Sequence, residues 1–248
     1  MVAPRRRFRY RKRKSAKRSA VAKRSRKMTI TRTLRAPKQQ VFPNIMKMKL
    51  NYEESFRGTG AETHAYYRLN SLYDPQYSYG TGVVAIGGQQ NNQQPLFYDQ
   101  IANIYTQYKV LATKVDIYFQ NMSTTIPGYV CIQGAPGDNI PTDIDPILMS
   151  TRPLAQVKNL GILGDDNSRV RLTAYYPAHV PLGIIKKEYV SDDDYSSAVN
   201  NSPALNNTGI LYVMISSIDS STSISVIARV KLTFYVQFMQ PNRSIGAS

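Results

Sequence analysis

The chain has no tryptophan, one cysteine and two histidines in 248 residues, and its first 38 residues contain no aspartate or glutamate. A single cysteine excludes an intrachain disulfide framework. Cys131 sits in the apolar run YVCI and reads as a small buried side chain rather than a nucleophile. His64 and His179 have no Cys, His or carboxylate at metal-ligand spacing, so no metal site is expected from them. Neither a GxxxxGK[ST] phosphate loop nor a GxSxG elbow occurs. No acid, base and nucleophile set converges, so an enzyme and a cofactor are not expected. The most apolar run, ILYVMI at 210–215, has the length of a strand and not of a membrane span. An apolar secretory leader is lacking too, so an intracellular protein is expected, with its Asn-x-Ser/Thr sequons at Asn121, Asn200, Asn206 and Asn242 unmodified.

The acid missing from the start of the chain is matched by an excess of base. Residues 1–38 hold 17 Lys/Arg, whereas residues 39–248 hold 15 Lys/Arg against all 16 Asp/Glu, a body of net charge −1. The densest part is RRRFRYRKRK at 5–14: Arg5, Arg6, Arg7, Phe8, Arg9, Tyr10, Arg11, Lys12, Arg13 and Lys14. Lys17, Arg18, Lys23, Arg24, Arg26 and Lys27 follow. Like charges at this density repel, and there is too little apolar surface to offset the entropy of ordering, so residues 1–38 are expected to be a disordered arm. Its partner should be a polyanion. Membrane surfaces and acidic proteins qualify, but nucleic acid has the densest regular array of negative charge and releases counterions when Lys and Arg replace them. Guanidinium forks onto phosphate, and Phe8 and Tyr10 offer rings on which bases can stack. RKRK at 11–14 and KRSRK at 23–27 also suit a nuclear import receptor. The arm lacks the large apolar residues that a mitochondrial presequence needs for its amphipathic face.

Residues 39–248 read as one all-β domain. Tyr, Val, Ile and Thr are abundant, Pro and Gly recur between short apolar runs, and no long capped helical period is present. In SVIARVKLTFYVQFMQ at 225–240, Val226, Ala228, Val230, Leu232, Phe234, Val236 and Phe238 alternate with polar residues, the period of a half-buried strand. Seven more strands are expected at 45–52, 64–70, 114–119, 128–133, 154–160, 169–175 and 209–216. A helix is expected over 99–110 with Asp99 as N-cap, and another turn or two over 143–150. The Gly/Gln/Asn-rich stretch 86–95 and the polar excursion 186–207 read as long loops; 71–96 and 186–207 are the candidates for exposure. Asp192, Asp193 and Asp194 form a solvated acidic loop or a cation contact. Eight strands with long loops suit a two-sheet single jelly-roll sandwich.

The stretch QPLFYDQIANIYTQYKVLATKVDIYFQN at 94–121, with Phe97, Asp99, Gln100, Tyr105, Tyr108, Val110 and Asn121, resembles a segment of circovirus-like capsid proteins. These belong to small circular single-stranded DNA viruses that encode a replication initiator. The resemblance implies a jelly roll that self-assembles into a T=1 icosahedral shell of about sixty copies, with arms facing inward onto a single-stranded DNA genome. Arms of 17 charges each would then neutralise on the order of a thousand phosphates. Virion and host nucleus are the implied locations, and a host receptor cannot be read from the residues. A coat of a small RNA or satellite virus, or a cellular nucleic-acid-binding protein with a basic tail, would carry a similar arm.

With the strands lettered B to I in chain order, a jelly roll puts B, I, D and G in one sheet. The non-core faces of those strands carry Lys47 and Lys49, Arg229 and Lys231, Lys114, and Arg169 and Arg171. These seven are expected to share one nucleic-acid-binding face, unless they pair with Asp116 and with neighbouring subunits.

Overall fold

The structure, a computed structural model, describes residues 42–80, 82–86, 93–137 and 154–242. The arm, with every cation and aromatic named for it, the 143–150 helix and most of the 86–95 loop lie outside the described residues.

Among the described residues, eleven strands form two antiparallel sheets. They are β1 (Ile45–Gly58), β2 (Glu62–Arg68), β3 (Gln76–Tyr79), β4 (Val83–Ala85), β5 (Tyr105–Asn121), β6 (Gly128–Pro136), β7 (Ala155–Leu160), β8 (Arg169–Pro177), β9 (Ser197–Ala198), β10 (Gly209–Ser217) and β11 (Val226–Pro241). One sheet runs β4-β1-β11-β5-β8, with β9 paired to the start of β5; the other runs β3-β2-β10-β6-β7. The eight expected strands are β1, β2, β5, β6, β7, β8, β10 and β11, and their order gives B-I-D-G facing C-H-E-F, the jelly-roll arrangement. The expected count of eight becomes eleven among the described residues. β3, β4 and β9 have four, three and two residues, too few for alternation to register in sequence.

β11 is the spine. It pairs with β1 from Ile45↔Met239 to Gly58↔Val226 and with β5 from Val226↔Asn121 to Pro241↔Tyr105. Its seven alternating apolar residues are all buried, against Ala65, Tyr67, Val130, Ile132, Leu211, Val213 and Ile215 of the opposite sheet. The valine, leucine and phenylalanine side chains among them each contribute about 1.5–3 kcal/mol by burial.

The expected helix over 99–110 is not there. Only α1 (Tyr98–Ala102) is helical; its N-cap is Phe97 in the left-handed region (φ 69°), and Asp99 lies in its first turn. From Tyr105 the chain is strand: Ile101 is buried in α1, and Tyr105 and Tyr108 are buried in β5, so side chains at helical spacing belong to two different elements. The register with β11 shifts between Tyr235 and Val236, so that Val236 faces Val110 but Tyr235 faces Ala112. The core-facing positions therefore switch from even (Tyr108, Val110) to odd (Val115, Ile117, Phe119) within one strand. The alternation seen in sequence from Lys114 therefore cannot be followed back through Leu111 to Tyr105.

The registers also fix the ends. The connections after β1, β5, β7 and β10 lie at one end of the sandwich. The connection that includes 186–207, and the turn 71–75 between β2 and β3, lie at the other; Gly82 and β4 return to the first end, where β4 pairs with residues 56–58 of β1. Along one side the sheets approach each other: Lys158 Nζ and Gln156 Nε2 on β7 donate to the carbonyls of Arg171 and Thr173 on β8, both at 3.0 Å.

Candidate nucleic-acid interface

The outer face of β1-β11-β5-β8 can be read rung by rung from the register. Asn51, Thr233, Lys114 and Tyr175 form one rung; Glu53, Lys231, Asp116 and Thr173 the next; Ser55, Arg229, Tyr118 and Arg171 the third; Arg57, Ile227, Gln120 and Arg169 the fourth. Lys47 and Lys49 continue the face along β1 beside Gln237 and Tyr235. All seven cations expected on this face are on it, and all are exposed.

Arg57 is an eighth, missed because the alternation of β1 was followed only to Tyr52, whereas the strand runs on to Gly58. Eight exposed cations face two carboxylates, Glu53 and Asp116, so the sheet surface carries a net +6. Since residues 39–248 total −1, what remains of that segment totals −7.

The cations are not equivalent. Arg171 Nε donates to Asp116 Oδ1 at 2.6 Å and its Nη2 to Oδ2, while Thr173 Oγ1 donates to Oδ1 at 3.3 Å. Lys231 donates to Glu53. Lys49 Nζ lies 5.0 Å from the Tyr235 ring centre, and the Arg171 guanidinium carbon 4.8 Å from that of Tyr118. Tyr235 in turn meets Tyr175 edge to face at 5.9 Å. Lys47, Arg57, Lys114, Arg169 and Arg229 carry no ion pair among the described residues. The pairing foreseen through Asp116 thus takes up Arg171, and Glu53 takes up Lys231, but most of the positive charge is left over. Aromatics between the cations were also missed; Tyr118 and Tyr175 had no sequence signal beyond their place on the polar side of an alternating strand.

A ninth cation on this side of the sheet, Lys109, is covered. The helix α2 (Lys186–Ser191) and the acidic turn after it lie over it, and its ammonium donates to the carbonyls of Tyr189 (3.3 Å), Val190 (3.4 Å) and Asp192 (2.6 Å). Lys109 thus reaches the backbone of the acidic loop, at the Asp192 carbonyl. Elsewhere Cys131 is buried, and His64 contacts the Tyr212 hydroxyl with Glu62 3.6 Å away. Among the described residues no group of three His, Cys, Asp or Glu side chains could hold a metal ion, and no helix is long and apolar enough to cross a membrane.

The hydrogen bonds from Arg171, opposed by burial, hold the Asp116 carboxyl below the ordinary carboxylate range. A carboxyl held down on folding stabilises above its unfolded value, about pH 4, and that contribution is lost as pH falls through the folded value. Asp116→Asn is expected to lower stability by about 1 kcal/mol near neutral pH, a small figure because the guanidinium is half in solvent. It should also flatten the acid limb of the stability curve. The same change adds one net positive charge to the face, so binding of single strands should tighten and its salt dependence steepen by about 0.7. Chemical denaturation across pH and a salt titration of binding check the two effects separately.

No family model matches the chain, and no curated protein does. Among solved structures it is similar to the empty head of turnip yellow mosaic virus, at 12% identity over 84% of this chain and 87% of that one (TM-score 0.41). It is similar also to cucumber necrosis virus, at 12% identity over 81% of this chain and 58% of that one (TM-score 0.44). The decameric capsid protein of BFDV is similar at 12% identity over 79% of this chain and 99% of that one (TM-score 0.41).

Proposed function

We propose that this chain is a viral capsid protein of the circovirus-like kind, a structural subunit that closes with copies of itself into an icosahedral shell around single-stranded DNA. The observation that carries the reading is the segregation of charge: +6 on the exposed sheet face, still +5 when Lys109 and the segment 186–194 that covers it are counted with it, and −6 over what then remains of residues 39–248. A subunit with one surface toward a genome and the other toward solvent needs that asymmetry, because phosphate draws cations to a single side. Residues 1–38 add 17 charges of the same sign. Phosphate contacts carry little sequence information, so packaging is largely independent of sequence.

Self-association finds support at both ends of the sandwich. Met122, Leu163 and Ile218 are exposed at one end, and Leu96, Phe97 and Ile185 at the other. Apolar groups this large on polar loops suit contacts between copies. About sixty copies and delivery to the host nucleus through RKRK and KRSRK complete the proposal.

Sedimentation of the purified chain at low and high salt, read at two wavelengths for protein and nucleic acid, tests it. A megadalton particle with excess nucleic-acid absorbance is expected, its content degraded by a single-strand DNA nuclease after disassembly. Content degraded by ribonuclease would transfer the reading to an RNA virus coat. A monomer that binds nucleic acid without closing into a particle would refute the shell.

A further inference from the structure

Tyr118 stands out on the basic face. Its ring is 49% exposed although it lies in the middle of the sheet, on a strand with a neighbour at each side. The two register partners are both arginines, Arg171 on β8 and Arg229 on β11. Arg171 lies against the ring and is itself tied to Asp116 by two N–H bonds. The ring is thereby oriented before any ligand arrives, which reduces the ordering that binding must offset. Toward β11 and β1 it borders an open hollow of about 580 Å³, lined also by Glu53, Ser55, Gln93, Arg229 and Lys231. Lys231 is neutralised by Glu53, so Arg229 is the cation of the hollow without an ion pair among the described residues.

We infer that this hollow takes one unstacked base of a single-stranded nucleic acid, with the base on the Tyr118 ring and the adjoining phosphate on Arg229. An aromatic platform beside a cation matches the two parts of a nucleotide, the π-face of the base and the charge of its phosphate. Ser55 and Gln93 offer polar groups to the edge of the base. The site is tolerant of sequence, since every base has a π-face, and it discriminates against duplex, whose bases are held inside the stack. The inference rests on the reading of this sheet as the nucleic-acid face and adds to it that the face selects single strands through bases as well as phosphates.

The test uses the full chain carrying Phe8→Ala and Tyr10→Ala, so that the rings of the arm do not contribute. Affinities are measured for an oligothymidylate and for an abasic oligomer of the same length. The ratio of the two reports the bases alone. Tyr118→Ala is expected to lower that ratio about tenfold and to leave abasic binding unchanged, while Tyr118→Phe retains the ratio. A single strand substituted with 5-iododeoxyuridine should cross-link to the peptide containing Tyr118. A ratio unmoved by Tyr118→Ala, with cross-links elsewhere only, overturns the stacking site; Arg229→Glu still weakening both oligomers would then leave the phosphate-binding face standing. If Arg229→Glu weakens neither, the face reading itself fails. Competition by polyglutamate as strong as by oligothymidylate would assign the surface to an acidic protein segment and overturn both.

Discussion

Deleting residues 1–38 is expected to weaken binding to single-stranded nucleic acid by a factor of about a thousand or more at physiological salt. The reason is counterion release. Each cation that replaces a condensed ion on a single strand contributes about 0.7 to the slope of log affinity against log salt. The 17 cations removed would account for a slope of up to about 12, whereas the face leaves only Lys47, Lys49, Lys114, Arg57, Arg169 and Arg229 outside ion pairs among the described residues. The truncated chain keeps every strand found among the described residues, so its denaturation midpoint should stay where it is. Particles formed from it should be empty or nearly so. Salt titrations of the two chains on one oligothymidylate make the comparison. A slope that falls by fewer than about three would show that the sheet, and not the arm, supplies most of the phosphate contacts.

The sandwich was legible in the sequence wherever one face of a strand is buried and the other is not. β11 shows this best: its seven inward residues alternate without interruption, and the same regularity exposes Arg229 and Lys231 on the opposite side. The seven cations could therefore be placed on one face by combining period-two alternation with the jelly-roll strand order. Two kinds of feature stayed hidden. One is a break in the period: the bulge beside Ala112 reverses the faces of β5, so its alternation is legible from Lys114 onward but not back to Tyr105. The other is pairing across strands. That Asp116 takes up Arg171, and that Tyr118 lies between two arginines, depends on a register between residues more than fifty positions apart. Alternation says which way a side chain points, but neighbours on the next strand follow only from the register.

Lys109 shows what that hidden switch conceals, and its replacement is expected to give the largest loss of stability among single changes on this side of the sheet. It is 4% exposed, and its ammonium donates to three carbonyls at the end of α2 and the turn after it, with its charge also facing the Tyr189 ring at 5.8 Å. A cation at the C-terminus of a helix meets the negative end of the helix dipole as well as carbonyls that no helical N–H reaches. Lys109→Ala removes all of these bonds at once and leaves buried carbonyls without the donor that offsets their desolvation, a loss of about 3 kcal/mol. Lys114→Ala, on the same strand but exposed, should change stability by less than about 0.5 kcal/mol. The Tyr189 hydroxyl still donates to the Val110 carbonyl at 2.6 Å, so the helix should loosen at its end without leaving the sheet. Trypsin should then cut after Lys186 or Lys187 faster in Lys109→Ala than in the parent chain. Denaturation of both variants, with proteolysis alongside, separates a fastening role for Lys109 from a general effect of removing positive charge: equal losses at 109 and 114 would refute the fastening role.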